Sequence, residues 1–398
     1  MSRTRLSVTA TVLISLSLTA MAQSIDVGRG SVGVHVPPSY DSETPMPLVL
    51  LLHGYSLSGT VQEAYMQFTP LADEFGFLYL HPDGRTTTDP KRFWSATPAC
   101  CNFYGAPDND SDYLMDLINE MKSQYNVDSS RVYLIGHSNG GFMSYRMACD
   151  NAATIAAIAS LAGATVPDAN DCQASSPVHV LQIHGTNDAS ILYDGGFTYP
   201  APGGEYTSAV ESVEQWAAKN GCALTPDTSA PNIDLELNLP GAESTVTRYK
   251  SACDSGGSAE LWTIVGGGHI PALSATLSRQ IIEFFYAHPK LDPGPTDTVY
   301  SDFGYSGPKN GAQATPWNTL GEALAAVDAN GTIKINGNSS IVASTETFTG
   351  ASVIDNSVTI KAAPAGTVRI GTSTPAPDQA PNTPADPPLR SGFIMRND

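Results

Sequence analysis

The segment from Arg131 to Met143 constrains the fold more than any other part of this sequence. Its first half, Val132 to Ile135, is a short run of branched, aliphatic and aromatic residues that is typical of a buried strand. The run leads directly into Gly136-His137-Ser138-Asn139-Gly140, and apolar residues at helical spacing follow. A strand, a sharp turn and a helix in this order place the serine of the turn above the edge of a sheet. We therefore predict that Ser138 is a nucleophile.

Further apolar runs alternate with helical patterns on both sides of this segment. The strand-like runs cover residues 47–52, 76–80, 155–162, 178–183 and 261–265, and the helical patterns cover 62–75, 111–125, 208–219 and 277–286. Unbroken apolar runs are typical of strands that are buried on both faces by helices. The sequence therefore predicts an α/β fold with a mostly parallel central sheet, and such sheets carry their ligand sites at the carboxyl ends of the strands.

The chain divides into five predicted segments. Residues 1–22 carry two arginines, an apolar stretch and Ala20-Met21-Ala22, which predict a signal peptide and a secreted mature chain starting at Gln23. A membrane anchor is the alternative, but serines and threonines interrupt the short apolar run. Residues 23–288 form the α/β domain, 289–297 a proline-containing linker, 298–372 a small β-rich module, and 373–398 a proline-rich tail. Within the module, short strands are predicted at 332–335, 357–362 and 368–370, and a helix at 319–327.

Charge and cysteine content agree with an extracellular protein. The formal charge is −19, and removing Arg3 and Arg5 leaves 18 basic against 39 acidic residues, which gives −21. Such a surface disfavours nucleic acid and anionic membranes as partners.

The six cysteines, an even number, predict disulfides. The candidates are Cys100, Cys101, Cys149, Cys172, Cys222 and Cys253. Adjacent cysteines are poorly placed to bond each other, so we expect Cys100 and Cys101 to have different partners.

A serine hydroxyl becomes a useful nucleophile only when a histidine takes its proton and a carboxylate orients that histidine. In the α/β-hydrolase arrangement the chain order is serine, acid, histidine. Two histidines follow the later strands, His269 and His288. We favour His269 as the base because Gly266-Gly267-Gly268 precede it directly after the last apolar strand, whereas His288 ends a helical pattern.

The predicted acid is Asp188, which lies in the loop directly after the strand 178–183. Asp194 is the alternative within the same loop. Asp168 and Asp171 precede that strand and should lie at its opposite end. The neighbouring His184 is interpreted as a packing or loop residue.

The oxyanion of an acyl-transfer reaction needs two preorganised N–H donors. One is predicted to be the backbone amide of Asn139, directly after the nucleophile, and the other that of Tyr55, with Ser56 as the alternative.

No cysteine or histidine spacing predicts a metal site, and the acidic run at residues 108–112 is interpreted as a helix cap rather than a calcium loop. We expect no cofactor.

Eight motifs of this chain resemble those of the secreted polyhydroxybutyrate depolymerase-like and feruloyl esterase-like hydrolases, in the same order and with similar spacing. They are His53-Gly54, Pro82-Asp83-Gly84, Trp94 with Cys100-Cys101, Asp110 to Leu114, Arg131-Val132-Tyr133, the six residues 136–141, the five residues 184–188, and Gly266 to His269. The resemblance covers about residues 30 to 288. It implies an α/β-hydrolase fold, a triad of Ser138, Asp188 and His269, and a Cys222–Cys253 disulfide.

The chain departs from this family after the histidine. Many relatives continue with Trp-Pro-Gly, whereas here Ile270-Pro271-Ala272 follows. The substrate of those relatives therefore cannot be assigned to this chain from the resemblance. Residues 297–371 resemble, more weakly, the first turns of a right-handed parallel β-helix of the pectate lyase type.

These observations together predict a secreted serine esterase acting on a polymeric or small ester substrate. The candidate polymers are hydroxyalkanoate polyesters and the feruloyl or acetyl esters of plant polysaccharide. Two alternatives stay open: a serine peptidase on the same scaffold, and a non-catalytic protein that binds polysaccharide or a cell surface. In either case the C-terminal module is a candidate for attachment to a polysaccharide or polymer surface.

Overall fold

A computed structural model describes residues 23–290 except for 87–89, 104, 108, 199–202 and 255. Beyond residue 290 it describes Ala323 and five short strands. The predicted signal peptide, the linker after residue 290 and most of the C-terminal module therefore lie outside the described residues.

The centre of the domain is a nine-stranded sheet with the order β1-β2-β4-β3-β5-β6-β7-β11-β10. Its strands are β1 (Gln23–Ile25), β2 (Val32–His35), β3 (Met46–Leu52), β4 (Leu78–Leu80), β5 (Val127–His137), β6 (Ala157–Leu161), β7 (His179–Gly185), β10 (Ser244–Tyr249) and β11 (Ser258–Ile264). The six strands from β4 to β11 are parallel, and the antiparallel strands lie at the two edges. A separate two-stranded ribbon pairs β8 (Gly196–Phe197) with β9 (Glu205–Tyr206).

Helices cover both faces of this sheet, as the unbroken apolar strands predict. They are α1 (Gly59–Met66), α2 (Phe68–Phe75), α3 (Asp110–Gln124), α4 (Asn139–Asp150), α5 (Ala209–Lys219) and α6 (Leu277–Ala287). Alternate residues of β3 point to opposite faces: Leu48 and Leu50 join one apolar core, and Val49 and Leu51 the other. Each such buried side chain stabilises the fold by about 1.5–3 kcal/mol. This architecture is the α/β-hydrolase fold.

The single helix predicted over residues 62–75 is two helices. Gln67 takes a left-handed backbone conformation with φ of 55°, which ends α1 and turns the chain into α2. The carboxylate of Glu63 accepts hydrogen bonds from the amides of Phe68 and Thr69, so the start of α2 is satisfied from the preceding helix.

All six cysteines are paired. The structure joins Cys149 to Cys172 and Cys222 to Cys253. The expectation that Cys100 and Cys101 have different partners is wrong. They are bonded to each other across a cis peptide that leaves their Cα atoms 3.0 Å apart, and the other four cysteines are already paired among themselves.

Five strands are described after the linker. Strands β12 (Thr298–Ser301), β13 (Thr332–Ile335) and β14 (Thr359–Ala362) pair in parallel, and β15 (Val368–Ile370) pairs antiparallel with β16 (Phe393–Met395). Three of the predicted strand positions, 332–335, 357–362 and 368–370, therefore carry strands. The helix expected over residues 319–327 lies outside the described residues except for Ala323. The boundaries of the module and of the tail stay predictions.

Candidate active site

Ser138 occupies a tight turn between β5 and α4. Its backbone has φ of 54° and ψ of −118°, a conformation that non-glycine residues rarely adopt. The glycines on either side are required by contact, because a Cβ at Gly136 would overlap the backbone of Gly140, and one at Gly140 would overlap that of Leu52. The turn therefore holds the serine above the carboxyl end of β5, as the sequence predicts.

The structure brings Ser138, His269 and Asp188 together. The Nε2 atom of His269 lies 3.0 Å from the Oγ atom of Ser138, and its Nδ1 atom lies 2.7 Å from Oδ2 of Asp188. The aspartate side chain is fully buried, and the histidine side chain is 18% exposed. The imidazole is thus oriented by a dry carboxylate on one side and meets the serine hydroxyl on the other, a geometry that suits proton transfer from the serine.

Asp188 is stabilised as an anion. Its Oδ1 atom accepts hydrogen bonds from the amides of Ser190 and Ile191. Its Oδ2 atom lies 3.3 Å from Nε2 of the buried His184, in addition to the bond with His269. Burial alone would raise the pKa of Asp188, but the hydrogen bonds from His184, His269 and the backbone outweigh it and hold the pKa below its usual range. The carboxylate therefore stays charged beside the imidazole.

The alternative acids and base lie elsewhere. Asp194 is exposed and has no hydrogen bond to His269 in the described chain. Asp168 caps a short helix before β7, at the opposite end of that strand from Asp188. His288 contacts His179 at the amino end of β7, with ring centroids 4.6 Å apart. The length of β7 therefore separates Asp168 and His288 from Ser138.

The loop after β3 lies against the nucleophile. A Cβ at Gly54 would lie 3.5 Å from the Cβ of Ser138. In this loop the Ser56 amide already donates to the Arg92 carbonyl at 2.8 Å, whereas the Tyr55 amide has no acceptor among the described residues. This difference favours Tyr55 over Ser56 as the second oxyanion donor, together with the Asn139 amide at the start of α4.

Trp94 connects the two candidate oxyanion donors, a link that the sequence did not indicate. The side-chain amide of Asn139 donates to the Trp94 carbonyl at 2.9 Å and accepts from the Trp94 amide at 2.7 Å. The indole Nε1 of Trp94 donates to the His53 carbonyl at 3.1 Å, two residues before Tyr55. Both backbone segments that would face an oxyanion are therefore held by one buried residue.

His137 is a second residue that the sequence analysis missed. Its Nε2–H donates to the backbone carbonyl of His269 at 2.9 Å, and the two rings lie 5.1 Å apart. Burial and the nearby His269 lower the pKa of His137 to about 4, so the ring is neutral near pH 7. Tyr65 supports the same loop by donating from its hydroxyl to the Pro271 carbonyl at 2.6 Å. No pattern in the sequence indicates these contacts, because each joins residues more than a hundred positions apart.

Residues 31–210, which include Ser138, Asp188 and the candidate oxyanion donors, match the family described as esterase PHB depolymerase. The match covers somewhat less than half of the chain. Together with the relatives that follow, it identifies the chain as a carboxylic ester hydrolase.

Curated relatives of this esterase family resemble the chain at moderate identity. NocK of Nocardia uniformis subsp. tsuyamanensis, which is named as an esterase, is 29% identical over 59% of this chain and 71% of its own length. Feruloyl esterase B of Piromyces equi is 28% identical over 59% of this chain and 42% of its own. The bifunctional acetylxylan esterase/xylanase XynS20E of Neocallimastix patriciarum is 32% identical over 40% of this chain and 22% of its own. The chain thus spans less than half of the last two relatives.

No group of three or more histidine, cysteine, aspartate or glutamate side chains with the geometry of a metal site occurs in the part that the structure describes. Likewise, no helix within the described ranges is long and apolar enough to cross a bilayer.

Proposed function

We propose that the chain is a secreted serine esterase that hydrolyses carboxylic esters of a polymer. The observation that carries the proposal is the continuous hydrogen-bonded chain from the Ser138 hydroxyl through the His269 imidazole to the Asp188 carboxylate. The match to an esterase family supports it independently, because the matched residues 31–210 contain two of these three residues.

Catalysis follows from this arrangement. The Oγ atom of Ser138 attacks the ester carbonyl carbon while its proton passes to Nε2 of His269. Asp188 stabilises the imidazolium, and the tetrahedral oxyanion accepts hydrogen bonds from the amides of Asn139 and Tyr55. His269 then protonates the leaving alcohol, which yields an acyl-enzyme on Ser138. Water, deprotonated by His269, releases the acid by the reverse sequence.

Two kinds of polymer ester are candidate substrates: hydroxyalkanoate polyesters, and feruloyl or acetyl esters of plant polysaccharide. The family name refers to PHB depolymerase, and two relatives are named for feruloyl and acetylxylan esters. An assay that quantifies the products from polyhydroxybutyrate, methyl ferulate and acetylated xylan under identical conditions decides between them. We expect turnover of at least one of the three.

The direct test of the site replaces the nucleophile. Ser138→Ala should abolish turnover of p-nitrophenyl butyrate while the melting temperature stays near that of the parent protein, because only Oγ is removed. Covalent labelling by a fluorophosphonate should disappear with it. His269→Gln should behave similarly, and His288→Gln is the matched control that should retain activity. A fully active Ser138→Ala protein would remove the proposal.

Secretion and surface attachment are parts of the proposal that need their own measurements. If residues 1–22 are a signal peptide, the exported protein should begin at Gln23 on amino-terminal sequencing. If residues 298–372 bind polymer, the full chain should adsorb to polyester film, xylan or cellulose more strongly than a chain that ends at Lys290. Equal adsorption of both chains would contradict the second point.

A further inference from the structure

Asp188 contacts a second histidine in addition to His269. His184 is buried near the end of β7, and its Nε2 atom lies 2.8 Å from the Ile191 carbonyl oxygen and 3.3 Å from Oδ2 of Asp188. The Ile191 amide in turn donates to Oδ1 of Asp188 at 2.9 Å. One ring nitrogen of His184 therefore faces two oxygen atoms, which belong to the candidate acid and to the loop that carries it.

The other ring nitrogen of His184 faces Gln182. This glutamine is fully buried two residues earlier on β7, and its side-chain nitrogen lies 3.0 Å from Nδ1 of His184 and 2.8 Å from the Gly163 carbonyl oxygen. A backbone carbonyl only accepts hydrogen bonds, so the atom of Gln182 that faces Gly163 is the nitrogen and not the oxygen. That nitrogen carries two hydrogens, and it donates the second one to Nδ1 of His184.

The amide of Gln182 is also fixed through its oxygen. The Tyr145 hydroxyl donates to Oε1 of Gln182 at 3.0 Å. Burial raises the pKa of Tyr145 above its ordinary value, so the hydroxyl keeps the proton that it donates. Tyr145 lies on α4, the helix that begins directly after Ser138. The hydrogen-bonded side chains therefore connect the nucleophile helix to the loop of the candidate acid.

These partners select one tautomer of the neutral His184 ring. Because Nδ1 accepts a hydrogen bond from Gln182, the ring proton is on Nε2, where the Ile191 carbonyl and the Asp188 carboxylate both accept it. The other tautomer would set Nδ1–H against the N–H of Gln182 and leave Nε2 without a proton beside two oxygens. The ring of Tyr193 packs edge-to-face with His184, with centroids 5.7 Å apart, and holds the imidazole plane. The Nε2–H group of His184 therefore points to the acid loop.

We propose that Gln182 and His184 are positioning residues for the candidate triad. Gln182 fixes the proton of His184 on Nε2, and this N–H holds the carboxylate of Asp188 in the orientation in which Oδ2 meets His269. The inference rests on the proposed esterase function and adds two residues that act through its acid without touching the substrate. Burial by itself would raise the pKa of Asp188, and the hydrogen bond from His184 is the largest effect that lowers it instead.

Variants of His184 test the role of its N–H group. His184→Phe keeps a ring but has no donor, so kcat on p-nitrophenyl butyrate should fall about tenfold while KM changes less than about twofold. His184→Gln keeps an N–H close to the position of Nε2 and should recover kcat to within about threefold of the parent protein. Equal kcat values in the two variants would refute the role of the N–H group.

Variants of Gln182 test whether the tautomer matters. Gln182→Glu presents an acceptor to Nδ1 of His184 in place of the donor, so Nδ1 takes a proton. The ring then either loses the proton on Nε2 or becomes a cation beside Asp188. In both cases the anionic partner of His269 is weakened, and kcat should fall about tenfold. Gln182→Met offers Nδ1 neither donor nor acceptor, so the proton stays on Nε2 and kcat should stay within about threefold of the parent value.

The melting temperature separates positioning from stability. Both Gln182 variants lose hydrogen bonds of the buried amide and should melt at a lower temperature than the parent protein. Asn220→Asp is the matched control, because Asn220 is also buried and bonded to three backbone groups, but at the opposite end of β7. It should lower the melting temperature and leave kcat unchanged. If kcat follows the melting temperature in all three variants, the positioning role is refuted.

The tautomer can be observed without any reaction. Two-bond 1H–15N correlation spectra of protein labelled with 15N-histidine show which ring nitrogen carries the proton, and the signals of His184 are those that His184→Gln lacks. We expect the proton on Nε2 in the parent protein and in Gln182→Met, and a proton on Nδ1 in Gln182→Glu. A parent protein with the proton on Nδ1 and none on Nε2 would overturn the proposal even if the Gln182 variants do not fold.

Two results distinguish this proposal from the proposed function. Turnover by Ser138→Ala would remove the triad, and with it the role of Gln182 and His184. An inactive Ser138→Ala protein, combined with equal kcat values for Gln182→Glu and Gln182→Met, would refute the positioning role alone.

Discussion

His137 provides the sharpest test of how the candidate triad is positioned. Replacing it by leucine removes the hydrogen bond to the partly buried His269 carbonyl and leaves that acceptor unsatisfied. Such a loss costs about 1–3 kcal/mol. If the whole cost falls on the transition state, kcat decreases between about fivefold and about 150-fold, at 1.36 kcal/mol per factor of ten. KM should change little, because His137 is buried behind the nucleophile.

The assay is steady-state hydrolysis of p-nitrophenyl butyrate, with the melting temperature measured in parallel. His137→Gln keeps an amide donor near the position of Nε2 and should recover most of the lost kcat. Tyr65→Phe is the matched control, since it removes a hydrogen bond from the same loop at Pro271, two residues from the imidazole. We expect it to lower kcat less than threefold. If leucine and glutamine are equivalent at position 137, or if only the melting temperature falls, a positioning role for His137 is refuted.

Three further outcomes follow from the structure. Asp188→Asn should lower kcat by about 10³–10⁴ on p-nitrophenyl butyrate because the imidazole loses its anionic partner, while Asp194→Asn in the same loop should not. Replacing Cys222 and Cys253 by alanine should reduce the free energy of unfolding by about 4 kcal/mol, the loop-entropy value for a separation of 31 residues, measurable by urea titration. The stability should fall by about 2 kcal/mol between pH 7 and pH 5 through His179 alone. Burial, then His288 and Lys290, lower the folded pKa of His179 to about 3, so below 6.5 only the unfolded state takes the proton, and His179→Gln should remove this component.

The parallel strands of the sheet could be predicted because local sequence determines them. The apolar run of β3 is unbroken, and those of β5, β6, β7 and β11 contain few polar residues, so strands buried on both faces are the favoured assignment. The edge strand β10 was missed, since four of the six residues of Ser244–Tyr249 are polar or charged and half of the strand is not buried. The break at Gln67 was missed for another reason: the left-handed residue there is not glycine, and the carboxylate that satisfies α2 comes from the preceding helix.

The pairing of the cysteines could not be predicted from their spacing in the sequence. Sequence alone allowed many pairings, and an argument from ordinary disulfide geometry excluded the adjacent pair. That argument assumes a trans peptide, whereas the bond between Cys100 and Cys101 is cis. Peptide geometry is not visible in composition or periodicity, so this pairing could be identified only in the structure.

The residues of the candidate site also differ in whether the sequence could predict them. Ser138, Asp188 and His269 each follow the carboxyl end of a strand, so knowing the strands suffices to predict that they converge. The residues that hold them do not follow strands in this way. Trp94 belongs to an irregular segment, yet it bonds Asn139 through both backbone atoms and the His53 carbonyl through its indole. Because these contacts are made by the backbone, almost any residue at position 94 would supply two of the three, and only the indole bond depends on the side chain. The reacting groups can therefore be identified from residue type, whereas the supporting contacts depend on the path that the backbone takes in the fold. A single sequence shows the residue types but not the path of the backbone.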